Sequence, residues 1–236
     1  MPPKRSLLPL LCLAGLSSCA STTPHFNIQP QQRIALCITE PNPQLYPVVI
    51  GPNAGQGDVY AGGGGLGLDL LIGTIVTNAV MDTAKDSSNI SRSAQFSNQI
   101  KSLPDYTDLY AQVLKDAIQI LQSKGYKIDV AQNIMSPAVA QDPWVFTIRS
   151  MVIGYGAEGY TASYHPIAMA TLSVTKQPDM SVIFQPLQLH ESITDYSKYE
   201  FFSYAHLAAS PEVAQQGLAQ AAQTLGEDIA SQIMSH

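Results

Sequence analysis

Covalent and metal chemistry draw on a short list of side chains, and in this sequence those side chains do not converge. The five histidines stand apart: His25, His165 before Pro166, His190, His206 and His236. His190 and Glu191 are neighbours in a strand-like run, so they point to opposite faces and cannot share a ligand. Neither a Gly-x-Ser-x-Gly elbow nor a His-Glu-x-x-His pair occurs. Gly62 to Gly65 invite a phosphate-cradling loop, but Leu66 follows where a P-loop needs lysine. The dinucleotide spacing fails too, since after Gly65 and Gly67 the third glycine position holds Leu70. Asp69 is the one carboxylate in apolar company, and a helix N-terminus beside the glycine run accounts for it. Glu158 falls in a turn and is expected to be solvated. These residues predict no catalytic set, no metal and no cofactor, and so a protein that is not an enzyme.

The group with the clearest covalent fate is Cys19. Lys4 and Arg5 precede an apolar run from Leu7 to Leu16, and small residues then lead into that cysteine. This is the charged-then-apolar order of a secretory signal. The run is too short for a spanning helix, which needs ~20 apolar residues. The four residues at its end, Leu16-Ser17-Ser18-Cys19, begin with the last residue of the run and resemble the bacterial lipobox, whose cysteine is acylated and becomes the first residue after cleavage. The resemblance implies a signal peptide over 1–18, lipidation at Cys19 and a membrane contact through that lipid. Several acyl chains, at about 0.8 kcal/mol per buried methylene, anchor stably where a single chain does not. Ala20 stands where inner-membrane lipoproteins of Gram-negative cells commonly carry aspartate, which points to the outer membrane and its periplasmic face.

Cleavage there removes Cys12 and leaves Cys19 acylated, so Cys37 is alone and no intrachain disulfide is available. Cys37 lies in the run Arg33 to Thr39, where a buried cysteine is a small apolar residue. Lys4 and Arg5 leave with the signal, taking the net charge from −6 to −8. With no basic stretch after Arg5, nucleic-acid binding has no electrostatic footprint. Apolar residues make up 45% of the chain, enough for one sizeable core.

The elements follow from composition and period. Residues 19–32 are Ser, Thr, Pro, Asn and Gln with little to bury, and read as a tether. A single domain is expected over 33–236. Arg33 to Thr39 is apolar on both faces and predicts an interior strand. A long Pro/Gly-rich insertion, 40–101, follows it. Within it Tyr46 to Ile50 is a short edge strand, and Asp82 to Lys101 reads as polar and solvent-exposed. The insertion's apolar, glycine-bearing segment, 66–81, has three competing readings: a helix buried on the sheet, an amphipathic helix on a membrane or partner, and a hairpin of a multimeric pore. Leu66, Leu70, Leu71 and Ile75 are its candidate contact residues.

Capping-box-like Ser102 and Asp105 open a helix whose apolar stripe is Leu109, Val113, Leu114, Ala117, Ile118 and Leu121, with Gly125 at its end. Tyr126 to Val130 is the next strand, completing a β–α–β unit. Three antiparallel strands are expected between Trp144 and Ser192, the middle one with a mostly polar second face that leaves the sheet covered on one side. Pro186 assigns the third to an edge or bulge. Tyr199 to Leu207 is aromatic on both faces, through Tyr199, Phe201, Phe202 and Tyr204. Tyr199, Phe201 and Phe202 serve either as a recognition surface or as a last strand packed on the core. Ser210, Pro211 and Glu212 start a terminal helix buried through Ala214, Leu218, Ala221, Ala222, Leu225, Ile229 and Ile233. The fold class is therefore α+β: an antiparallel-rich mixed sheet packed on one face by two helices.

That order resembles the small α+β lipoproteins of Gram-negative envelopes, of the YajG type and the auxiliary lipoproteins of ABC-type lipid transport systems. The resemblance implies a non-catalytic binding or accessory subunit of an envelope complex, with an unidentified envelope protein as partner. The rival is an oligomeric secretion pore built from copies of this chain through 66–81, as the curli-secretion channel lipoprotein is built. Against it, the segment lacks the strict alternation of a barrel hairpin. A third reading is a carrier of a hydrophobic ligand.

Overall fold

The structure is a computed structural model that describes residues 28–38, 47–51, 87–131, 142, 144–157, 163–176, 181–190 and 198–235. Cys19, Leu66, Leu70, Leu71, Ile75 and the 66–81 segment as a whole lie outside the described residues.

The fold is α+β, a mixed six-stranded sheet packed against helices. Arg33–Ile38 (β1) is interior, as its two apolar faces require. On one side it pairs in parallel with Lys127–Ala131 (β3), Arg33 opposite Lys127. On the other it pairs in parallel with Trp144–Ala157 (β4), Ile34 opposite Trp144. Val48–Ile50 (β2) takes the far half of the same edge of β4, with Val48 opposite Gly154. β1 and β2 thus lie end to end along one long strand. In the gap between them the Tyr110 hydroxyl donates to the Met151 carbonyl at 2.8 Å, satisfying an acceptor at the break in the ladder.

β4 forms an antiparallel hairpin with Tyr164–Lys176 (β5), which pairs with Ser181–His190 (β6). The order is β3-β1-β4-β5-β6, so β6 is an edge. Its register shifts between Leu172 and Val174, whose partners are Leu187 and Ile183, and Pro186 sits inside that irregular stretch. Proline deletes a donor, and a bulged edge is where the loss costs least.

Leu109–Ser123 (α2) and Pro211–Met234 (α4) cross one sheet face and each other. The stripes expected from periodicity are the ones buried there, Leu109, Val113, Ala117 and Leu121 from α2 and Ala214 to Ile233 from α4. α2 ends as expected, with Gly125 at φ +90° just beyond its C-cap. Against α2, the Gly226 position of α4 leaves a Cβ only 2.7 Å from the Val113 carbonyl oxygen, so the contact requires glycine. That glycine is a packing device, where helix propensity alone counts it as a weakness.

Four expectations need correction. The stretch read as polar and exposed contains a helix, Ser87–Lys101 (α1), whose buried face is Asn89, Ser93, Phe96, Ser97 and Ile100. Its polar residues do a strand's work. Ser93 Oγ accepts from Val49 N at 2.8 Å and Asn89 Oδ1 accepts from Gly51 N at 3.0 Å, so side chains of α1 close the free edge of β2. An apolar-periodicity argument cannot see a helix docked through Ser and Asn.

The following helix starts later than Ser102 and Asp105 suggest. Ser102 Oγ donates back to Gln99 O, and it is Asp108 that accepts from Tyr110 N and Ala111 N. The second face of β5 is buried as well: Thr171, Ser173 and Thr175 are all under a tenth exposed. Small hydroxyl residues tolerate this because they bond to backbone, as Ser173 Oγ does to Thr147 O. Finally, the strand expected over Tyr199 to Leu207 shrinks to one antiparallel bridge, Tyr164 with Phe201. Ser203 then caps the short helix Tyr204–Ala208 (α3) and ends the extended run.

Candidate functional site: an aromatic corner around Arg92

The bridge at Phe201 brings the chain back over the start of β5, and the aromatic residues of the sequence meet there. Tyr164 N donates to Phe201 O at 2.7 Å and Phe201 N donates to Tyr164 O at 3.0 Å, which fixes the register of the crossing. Tyr155 from β4 then stands edge-on to two rings, Phe96 of α1 at 5.9 Å and Phe201 at 5.5 Å. Phe201 in turn meets His206 at 5.4 Å. Such edge contacts align ring quadrupoles and add about 0.5–1.5 kcal/mol each beyond burial. The Tyr155 hydroxyl donates to Ala214 O of α4 at 3.2 Å, and burial pushes its ionisation well above the usual tyrosine range. Gly217 of α4 faces this hydroxyl directly: a Cβ there would stand 2.5 Å from it. The interior of the corner is a device that seats α4 on the sheet.

The three aromatic candidates from the sequence part company here. Tyr199 and Phe201 are 7% and 3% exposed and belong to the packing. Phe202 is 71% exposed and points away from it. A phenylalanine that open contributes nothing to the core; its neighbours decide what it is for.

Two residues further along the chain Tyr204 meets Arg92, which sequence reasoning passed over. Tyr204 donates its hydroxyl to Arg92 O at 3.1 Å and lies within 3.2 Å of Gln95 Oε1, so α1 holds the ring in place. The Arg92 guanidinium lies over that ring, 5.7 Å from its centroid. Its positive charge opposes the upward push that burial gives the Tyr204 and Tyr164 hydroxyls. Gly51 supplies the floor, since any Cβ there would collide with the guanidinium. Among the described residues no carboxylate pairs with Arg92. A signal was present in the sequence: Arg92 is the lone charge in the helix before Lys101, amid Ser, Asn and Gln.

Elsewhere the ionic chemistry is structural. Arg33 binds Asp129 through Nη2 and donates from Nε to Asp142 Oδ1 at 3.1 Å, with Asp142 fully buried. Burial raises the Asp142 carboxyl and Arg33 pulls part of that shift back. Burial also raises the thiol of Cys37, with the Asp142 charge adding to it, so the thiolate needed for reaction is disfavoured. Among the described residues no cluster of three or more His, Cys, Asp or Glu could hold a metal, and no helix is long and apolar enough to cross a membrane.

What these features define is a class by architecture, an α+β domain with a mixed sheet under helices and an aromatic corner at one end. No family model matches the chain, and no curated protein matches it. Among solved structures it is similar to the crystal structure of protein XCC0632 from Xanthomonas campestris, family-model DUF330. The similarity spans 89% of this chain and 93% of that one, at 11% identity and a TM-score of 0.33.

Proposed function

We propose that this chain is an outer-membrane-anchored periplasmic lipoprotein that acts by contact, as a non-catalytic binding or accessory subunit of an envelope complex. The observation that carries the reading is Leu16-Ser17-Ser18-Cys19 at the end of a charged-then-apolar leader. The corner supports it: Phe202 is exposed two residues along the chain from Tyr204, whose ring lies under Arg92, and aromatic and arginine side chains are the types that dominate protein interfaces.

The test is the mass of the N-terminal peptide of the protein isolated from envelopes of a Gram-negative host. The reading expects a chain beginning at Cys19 with added acyl mass, and a Cys19→Ala form that is unacylated and leaves the membrane fraction. An unmodified Cys19 in a membrane-free protein would remove the anchor and with it the proposal.

A further inference from the structure

We infer that the corner of Arg92, Tyr204 and Phe202 is a docking point for a protein segment that presents a carboxylate next to an apolar side chain. This deepens the contact reading above and rests on it.

Three observations combine. First, the guanidinium is pre-organised. Tyr204 is held by two contacts to α1, its ring lies under the cation, and Gly51 leaves the space the cation occupies. An arginine fixed in this way loses less side-chain freedom on binding than a free one. Second, no carboxylate pairs with it among the described residues. The chain's other described arginine with a resolved partner set, Arg33, has two aspartates, whereas Arg92 has none among the described residues. A planar cation with free N–H edges matches a carboxylate in two parallel hydrogen bonds. Third, two residues along the chain from Tyr204 stands Phe202, a large apolar ring in water. A partner segment that reaches both gains a charge-assisted contact and an apolar one.

The occupant is a protein segment rather than an anionic lipid surface. Polybasic membrane sites use clusters of about four to eight cations. Here the rings of the corner carry Arg92 and, over Tyr199, Lys198, in a chain whose net charge is −6. Such a balance repels an anionic membrane while leaving one local point for one acid.

The experiment uses the full chain in mild detergent against arrayed peptides in matched pairs. Each pair has an aromatic or aliphatic residue followed by Asp or Glu in one member and by Asn or Gln in the other. The expected result is a set of acidic peptides bound at least about tenfold better than their amide twins. Arg92→Gln should bring that ratio to about one, and Phe202→Ser should weaken both members alike. The inference is overturned by an acid preference that survives Arg92→Gln, by no binding in either series, or by binding to phosphatidylglycerol vesicles in place of peptides.

A photo-reactive residue at position 202 in cells separates this failure from failure of the underlying reading. An adduct to another envelope protein that persists in Arg92→Gln keeps the contact role and removes the carboxylate. No adduct at all removes both.

Discussion

Gly217 and Tyr155 should be energetically coupled, because one occupies the space the other leaves. Gly217→Ala in α4 gains about 1 kcal/mol of helix propensity. Against this, the new Cβ stands 2.5 Å from the Tyr155 hydroxyl and 3.1 Å from both Pro166 Cγ and Tyr199 Cβ. Overpacking of this kind costs about 1–3 kcal/mol, so the net change is a loss of up to about 2 kcal/mol. Tyr155→Phe alone removes the bond to Ala214 O and costs about 0.5–1.5 kcal/mol, towards the low end because that carbonyl keeps its place in the helix ladder. In the double variant the closest contact is gone and the two at 3.1 Å remain. Gly217→Ala should then cost at least about 1 kcal/mol less than in the wild-type background, beyond the roughly 0.3–0.5 kcal/mol within which independent sites add. Urea denaturation of the four proteins, followed by circular dichroism, reads the coupling directly. For a chain of this size each kcal/mol corresponds to about 2–4 °C in Tm. Additive effects, or a Gly217→Ala protein stabilised by the full propensity gain, would show that the hydroxyl does not set the approach of α4.

Ser93→Ala should lose about 1–3 kcal/mol by leaving the buried Val49 N–H without its acceptor, far more than an ordinary polar-to-alanine change in a helix, measurable by the same denaturation. Gly226→Ala should lose about 1–2 kcal/mol net, since the backbone carbonyl of Val113 cannot step aside. Phe202→Ser should leave stability within about 0.5 kcal/mol of wild type, as expected of a side chain that the core does not use. Asp142 makes a pH prediction. Its folded carboxyl is raised above the usual 3.8, so its contribution is fully present below that value and is lost as pH rises through the folded value. The stability of wild type minus that of Asp142→Asn should therefore fall as pH rises above about 3.8; a flat or rising difference would contradict the burial argument.

How legible all this was depended on what each element packs through. α2 and α4 announce themselves because Leu109, Val113, Ala117 and Leu121, and then Ala214 to Ile233, recur at helical spacing and bury apolar area. The antiparallel strands were equally plain from alternation and from Pro186. α1 was hidden because it docks through Asn89 and Ser93, residues that read as solvated until β2 supplies the backbone groups they bind. The second face of β5 was hidden for the same reason: Thr171, Ser173 and Thr175 look like a wet face and are buried. In the candidate site the sequence singled out the aromatic run Tyr199 to Leu207 and could not sort its rings. Whether an aromatic faces in or out was decided by one bridge, at Phe201, which buries Tyr199 and Phe201 and turns Phe202 outward. Arg92 was missed because a charge in a polar stretch reads as solvated, and its ring and glycine floor come from positions 204 and 51, far away in sequence.

We propose that an anchored chain works through contact at this corner. In-cell photo-crosslinking from position 202 tests it most directly, with the exposed α4 residue Glu227 as the comparison site and Cys19→Ala as the unanchored control. One discrete envelope-protein adduct is expected from position 202, absent from position 227 and strongly reduced without the anchor. The same adducts from both positions, or an adduct from 202 indifferent to Cys19, would contradict it.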